Sequence, residues 1–256
     1  MKAVNGIFSR PGGKARLVKH IIPLIKPHKC FVEVFAGGAA LLRAKGESPI
    51  EVLNDTDETI TNAFRCVRHH PDAVIKELDH HVNSRADFIA YKKQQGMTDI
   101  QRAARWLFLN ALSFGGDSSS FGVQRTSGGG ATNSISKLQD RITECHKRLN
   151  GVIVENLDWR HCLKTYDSDG TLFFCDPPYV GGKIKSYAAW SQVQMAEFAG
   201  AIAAVLGDWI VTVNDSPENR ALFGFGKMKR ITRQRCIANK TQAERSKYAE
   251  LIVWKS

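Results

Sequence analysis

The 256-residue chain is 43% hydrophobic and 24% charged, enough for one large domain or one domain with an insert around a sizeable core. No apolar stretch approaches the ~20 residues that span a bilayer, and Met1 to Phe8 reads as neither a signal nor a transit peptide. Six scattered cysteines without a CxxC pair argue against a zinc site or a disulfide framework and for a reducing compartment, and the net charge of +11 suits a polyanionic partner. That charge is uneven: residues 1–29 hold seven Lys/Arg and no acid, and residues 227–247 hold eight against Glu244 alone.

In chain order, Arg10-Pro11-Gly12-Gly13-Lys14 reads as a glycine turn opening a basic helix with Arg16 and Lys19, a place that favours an anionic group. Cys30–Phe35 is the first expected strand and ends in Ala36-Gly37-Gly38, where small residues let a ligand approach the backbone. A short helix is expected from Leu41 to Ala44. Neither GxGxxG nor a P-loop lysine is present, and an ordinary tight turn would read the same way. Ile50–Leu53 is the second strand. Asp55 follows it about twenty residues after the glycine turn, where an acid binds ribose hydroxyls, although Asn54 to Asp57 are also good helix caps.

Residues 56–150 break the strand–helix alternation. They read as an inserted, mostly helical subdomain, with an apolar period through Trp106, Leu107, Leu109, Asn110 and Leu112 and then a Gly/Ser-rich loop of a kind that is usually functional. Strands follow at Gly151–Leu157, Leu172–Cys175, Trp209–Val213, Lys229–Ile237 and Glu250–Trp254, with an amphipathic helix over Ser191 to Leu206. Alternating strands and helices predict a mostly parallel α/β sheet, with polar residues or glycines at the carboxyl edge of five strands and the last pair forming an antiparallel hairpin. The eight histidines show no metal-ligand spacing.

The most informative segment is Asp176-Pro177-Pro178-Tyr179, which ends the apolar run from Thr171 to Cys175. Neither proline has an N–H to donate, so the ladder ends there and leaves carbonyls free at the carboxyl edge, where open α/β sheets bind ligands. One carboxylate and one carbonyl can accept both hydrogens of an exocyclic amine while the tyrosine stacks on its heterocycle. Asp158-Trp159, at the end of the third strand, could form an adenine pocket or a simple turn with a core tryptophan.

Together, these motifs resemble the Dam-like, D12-class group of adenine-N6 DNA methyltransferases, from about Phe8 to the C-terminus. The order Gly-Gly-Lys, Phe-x-Gly turn, insert and Asp-Pro-Pro-Tyr carries the resemblance. It implies a Rossmann-like class I methyltransferase fold with a seven-stranded, mostly parallel sheet and an antiparallel C-terminal strand. The catalytic domain would comprise residues 1–55 and 151–256, and the target-recognition insert residues 56–150. S-adenosylmethionine would be the cofactor, held by Phe8, Arg10, Gly12, Gly13, Lys14, Glu33, Phe35, Ala36, Gly37, Gly38, Asn54, Asp55, Asp158, Trp159 and Asp176. Asp176, Pro177, Pro178 and Tyr179 would act on an adenine flipped out of double-stranded DNA. DNA contacts are expected from Asn110, Ser113, Gly122, Arg125 and Ser127, without a metal or a membrane, in a bacterial or phage-infected cytoplasm. Where the family usually has Phe-x-Gly-x-Gly, this chain reads Phe35-Ala36-Gly37-Gly38-Ala39, which predicts an extra methyl near the cofactor or a turn shifted by one residue. Methylation of RNA or of a protein glutamine, and a DNA-binding protein without activity, are the alternatives.

Overall fold

The computed structural model describes residues 5–9, 13–79, 84–113, 116, 118–122, 135–181, 190–234 and 247–256. Arg10, Pro11, Gly12, Arg125 and Ser127 lie outside them. Seven strands form one sheet: β1 (Cys30–Glu33), β2 (Ile50–Asn54), β3 (Ile153–Glu155), β4 (Thr171–Cys175), β5 (Asp208–Asn214), β6 (Lys227–Gln234) and β7 (Lys247–Trp254). Their order is β3-β2-β1-β4-β5-β7-β6. The first five run parallel, and β7 lies antiparallel between β5 and β6. This is the sheet the sequence predicts, so the ends of β1 to β5 share one carboxyl edge.

The period-two alternation of the strands splits the core into two layers. Phe31, Leu53, Leu172, Phe174, Ile210 and Ile252 face one way and join the core of α2 (Glu58–His69), α3 (Pro71–Asp79), α4 (Arg85–Lys93), α5 (Asp99–Leu112) and α6 (Ile135–Arg148). The short helix α1 (Val18–Ile21) packs into the same layer. Val32, Val52, Phe173, Val211 and Val253 face the other way, against α7 (Trp159–Tyr166), α8 (Gln192–Ala204) and the residues around α9 (Pro217–Leu222). The helical stretch between β2 and β3 therefore shares one continuous hydrophobic core with the sheet. Thr98–Gln101 and Ser191–Gln194 form reciprocal caps that fix the starts of α5 and α8.

Leu41 to Ala44 forms turns closed by Arg43 N–H to Ala39 O and Lys45 N–H to Leu41 O, in place of the expected short helix. Gly37 and Ala39 both have positive φ, at 44° and 50°. Ala39 is fully buried within the core, so its methyl packs inward; the departure from glycine places an L-residue in left-handed backbone, at about 1–2 kcal/mol.

Glu33, on β1, is buried and accepts the Leu42 N–H at 3.0 Å, tying the strand to the turn that follows it. Burial pushes its carboxyl up to about 7, against the opposing pull of the Leu42 N–H and Arg43. A raised folded-state value means that its contribution to stability is full below the unfolded value near 4.5 and is lost as pH rises through about 7. Unfolding free energies from urea titrations between pH 4 and 8 are expected to fall over that window by roughly 3 kcal/mol from this group. Glu33→Gln should flatten this limb; an unchanged slope would remove Glu33 as its source.

Candidate active site

β4 stops at Cys175, and its next residue, Asp176, reaches the neighbouring strand. Asp176 Oδ1 accepts from Lys14 Nζ at 2.9 Å and from Thr212 Oγ1 of β5 at 2.8 Å. Both contacts fall on one oxygen, and Oδ2 has no partner among the described residues. Lys14 is 6% exposed and lies 4.8 Å from the Tyr179 ring centroid, so ammonium, carboxylate and aromatic face form one unit. Burial opposes the Lys14 charge, but Asp176, Tyr179 and the buried Glu250 of β7 together hold it well above the usual lysine range. Burial also pushes the Tyr179 phenol above its ordinary value, with Lys14 pulling the other way, so it stays neutral.

At the adjoining strand ends, the half-buried Asp55 takes the Gly37 N–H on Oδ2 (2.9 Å) and the Asp57 N–H on Oδ1 (3.0 Å). A side chain built at Gly37 would meet nothing within 4 Å, so open space lies over this turn. The turn is walled by Phe35, which packs edge-on against Trp190 with centroids 5.6 Å apart. A carboxylate suited to a diol, a bare glycine backbone and an aromatic wall fit a sulfonium nucleoside such as S-adenosylmethionine.

Other expected residues sit differently. Asn54 is buried and its amide is fully used: it donates to Val34 O and Leu157 O and accepts the Leu157 N–H, fastening β1 to the end of β3. Glu33 likewise points inward, so both shape the walls. Trp159 is 5% exposed and packs behind the wall on Trp190 and Phe198. Asp158 caps α7 through the Arg160 N–H and pairs with the Arg160 side chain. Phe8 is buried against Phe64 and Trp106, in the helical layer, and Gly13 precedes the short helical turn that carries Lys14.

Asn110 is 3% exposed: its Oδ1 accepts the Ser9 N–H (2.9 Å), and its Nδ2 donates to Ser9 O (2.8 Å) and Gly116 O (2.7 Å). It is a clamp between α5, the following loop and the segment leading to Lys14, with no polar atom left for DNA. Gly116 belongs to that clamp: its φ is +73°, and a Cβ there would lie 2.5 Å from Ser9 O. Ser113 is also buried, its hydroxyl donating to Asn110 O and accepting the Ser118 N–H, and the Gly122 N–H donates to Leu112 O. Asn110→Ala would leave three backbone groups short of partners and is expected to cost roughly 3 kcal/mol, read as a lower urea midpoint with an unchanged slope.

The sequence alone did not single out Thr212, Glu250 or Trp190. Thr212 and Glu250 are lone polar residues inside buried strands, which was the available signal. Among the described residues, no group of three His, Cys, Asp or Glu side chains is placed to hold a metal ion, and no helix is long and apolar enough to cross a membrane.

The family model described as D12 class N6 adenine-specific DNA methyltransferase matches residues 11–216, most of the chain, including β1 to β5 with Lys14, Asp55, Asp176 and Thr212. The chain belongs to this family. It is an adenine-N6 DNA methyltransferase by family, with S-adenosylmethionine as the methyl donor. It is 26% identical over 195 residues to Type II methyltransferase M1.LlaDCHI of Lactococcus lactis subsp. cremoris, spanning 69% of this chain and 68% of that one. It is 28% identical over 119 residues to the DNA N-6-adenine-methyltransferase of Escherichia phage P1, spanning 44% of this chain and 16% of that protein. A solved SAM-dependent O-methyltransferase from Thermotoga maritima superposes with a TM-score of 0.40 at 9% identity, over 94% of this chain and 64% of that one.

Proposed function

We propose that the chain methylates N6 of an adenine flipped out of double-stranded DNA at a specific short site, in a cytoplasmic compartment. The observation that carries this reading is the Lys14–Asp176–Thr212 arrangement beside Tyr179: both protein contacts converge on Asp176 Oδ1 and leave Oδ2 to a ligand. N6 is hydrogen-bonded inside the duplex, so the base must leave the stack to be reached.

Asp176 Oδ2 and the Pro177 carbonyl then accept the two N6 hydrogens and draw the nitrogen out of conjugation with its ring. Pro178 fixes the backbone angle of the loop, and Tyr179 supplies a face for the base. Asp55, Gly37 and the Phe35–Trp190 wall would hold the donor, which would supply an electrophilic methyl group to the N6 lone pair, with the S–CH3 bonding pair staying on sulfur and one N6 proton passing to solvent. Positioning supplies most of the catalysis, because the leaving group is already good.

The test is transfer from labelled S-adenosylmethionine to unmethylated genomic DNA, followed by single-molecule sequencing. N6-methyladenine at one short motif is the expected result. Donor binding without incorporation into DNA would overturn the reading and move the substrate to RNA or a protein amide.

A further inference from the structure

Asp215 follows the last residue of β5, three residues and hence ~10 Å beyond Thr212 along the strand axis, at the same carboxyl edge as Asp176. Two arginines from different elements converge on it: Arg220 Nε of α9 on Oδ1 at 2.6 Å, and Arg230 Nε of β6 on Oδ2 at 2.7 Å. Asp215 is only 9% exposed, whereas the arginine side chains are 47% and 60% exposed. Each guanidinium is held by its Nε alone, and the two terminal nitrogens of each have no partner among the described residues.

The single carboxylate aligns two forks and neutralises only one of them. Residues 219–243 hold seven Lys/Arg and no acid, and Lys227 and Lys229 on the same strand are exposed. Outward-facing guanidinium forks match phosphate oxygens, and a rigid pair loses less freedom on binding than two free side chains.

We infer that Arg220 and Arg230, aligned by Asp215, form a phosphate-contact ridge that grips the DNA backbone beside the flipped adenine. This surface lies on the sheet edge, apart from the helical layer and its loop, and it rests on the reading of the chain as a DNA methyltransferase. Phosphate contacts fix register and carry no base information, so the ridge serves every sequence equally.

The experiment measures binding of the full chain to a substrate duplex at several salt concentrations for the wild type, Arg220→Gln, Arg230→Gln and the double variant. Each substitution is expected to reduce the slope of log affinity against log salt by about 1, and the double by about 2, on cognate and non-cognate duplexes alike. Lys26→Gln is the control: Lys26 pairs with Asp208 at the start of β5, the opposite edge, and its loss should leave the slope unchanged. Methyl transfer by the wild type to the same duplex reports separately on the underlying reading. Transfer with an unaltered slope in the double variant would overturn the ridge alone, leaving these charges to block edge-to-edge strand pairing. No adenine methylation at all would overturn the reading and the ridge with it.

Discussion

Asp176→Ala is expected to lower single-turnover methyl transfer on the order of 10³-fold, with DNA affinity nearly unchanged. Two losses combine. The N6 amine loses its carboxylate acceptor, an oriented charge in a partly dry site, and removing one such group typically costs 10²–10³-fold. Lys14, 6% exposed, also loses its nearest counter-charge, and the Thr212 hydroxyl loses its acceptor. Breaking a buried pair from one side is costly, so the variant should also unfold at lower urea. Asp176→Asn keeps a single acceptor oxygen, which can serve the amine or Lys14 and Thr212 but not both, so a transfer loss smaller than that of the alanine variant is expected. Full activity in Asp176→Ala would sink the assignment of Asp176 to the amine.

The largest stability effect is expected at Glu51. This residue of β2 is buried and accepts a two-pronged bond from Arg148 of α6, at 2.6 and 2.9 Å, and a third from Lys45. Arg148 also donates to Leu42 O, so the group fastens α6, β2 and the turn after β1. Glu51→Gln leaves two buried cations facing a neutral amide, and 3–5 kcal/mol of destabilisation is the usual scale. It should appear as a shift in the urea midpoint with an unchanged slope. Burial pushes the Glu51 carboxyl up, and Arg148 and Lys45 more than reverse it, so the net displacement is downward. A lowered folded-state value means the stabilisation is present above the unfolded value near 4.5 and is lost as pH falls through the folded one. Glu51 and Glu33, on adjacent strands, therefore act with opposite signs. The acid limb should flatten in Glu51→Gln and the neutral limb in Glu33→Gln; both limbs surviving in both variants would show that other groups set them.

The sheet was largely legible because its information is local. Runs such as Thr171–Cys175 and Trp209–Val213 are short, apolar and bounded by breakers, and seven strands stand where seven were expected. Their limits moved by a residue or a few, since pairing register rather than composition ends a strand. The candidate site was legible where one segment carries it, as at Asp176 and Tyr179, which the fold sets beside Lys14. It was not legible where partners come from afar: nothing near Lys14 says that its ammonium ends on Asp176, and Thr212 gains its role only from the β4–β5 register. Asn110 shows the opposite failure. A polar side chain near a Gly/Ser loop suggests readout, yet it falls within the apolar period of α5, and a buried amide must spend its hydrogen bonds on the protein. Glu33 and Asn54 turned inward for the same reason.

Lys14 sits near the start of the sequence and pairs with Asp176, and Glu250, on β7, adds a second negative charge acting on that ammonium. The charge environment of Lys14 is thus complete only once β7 lies between β5 and β6. A nascent chain on the ribosome carries Lys14 and Asp176 before β7 has emerged, so the ammonium meets its full set of counter-charges only as the sheet is completed.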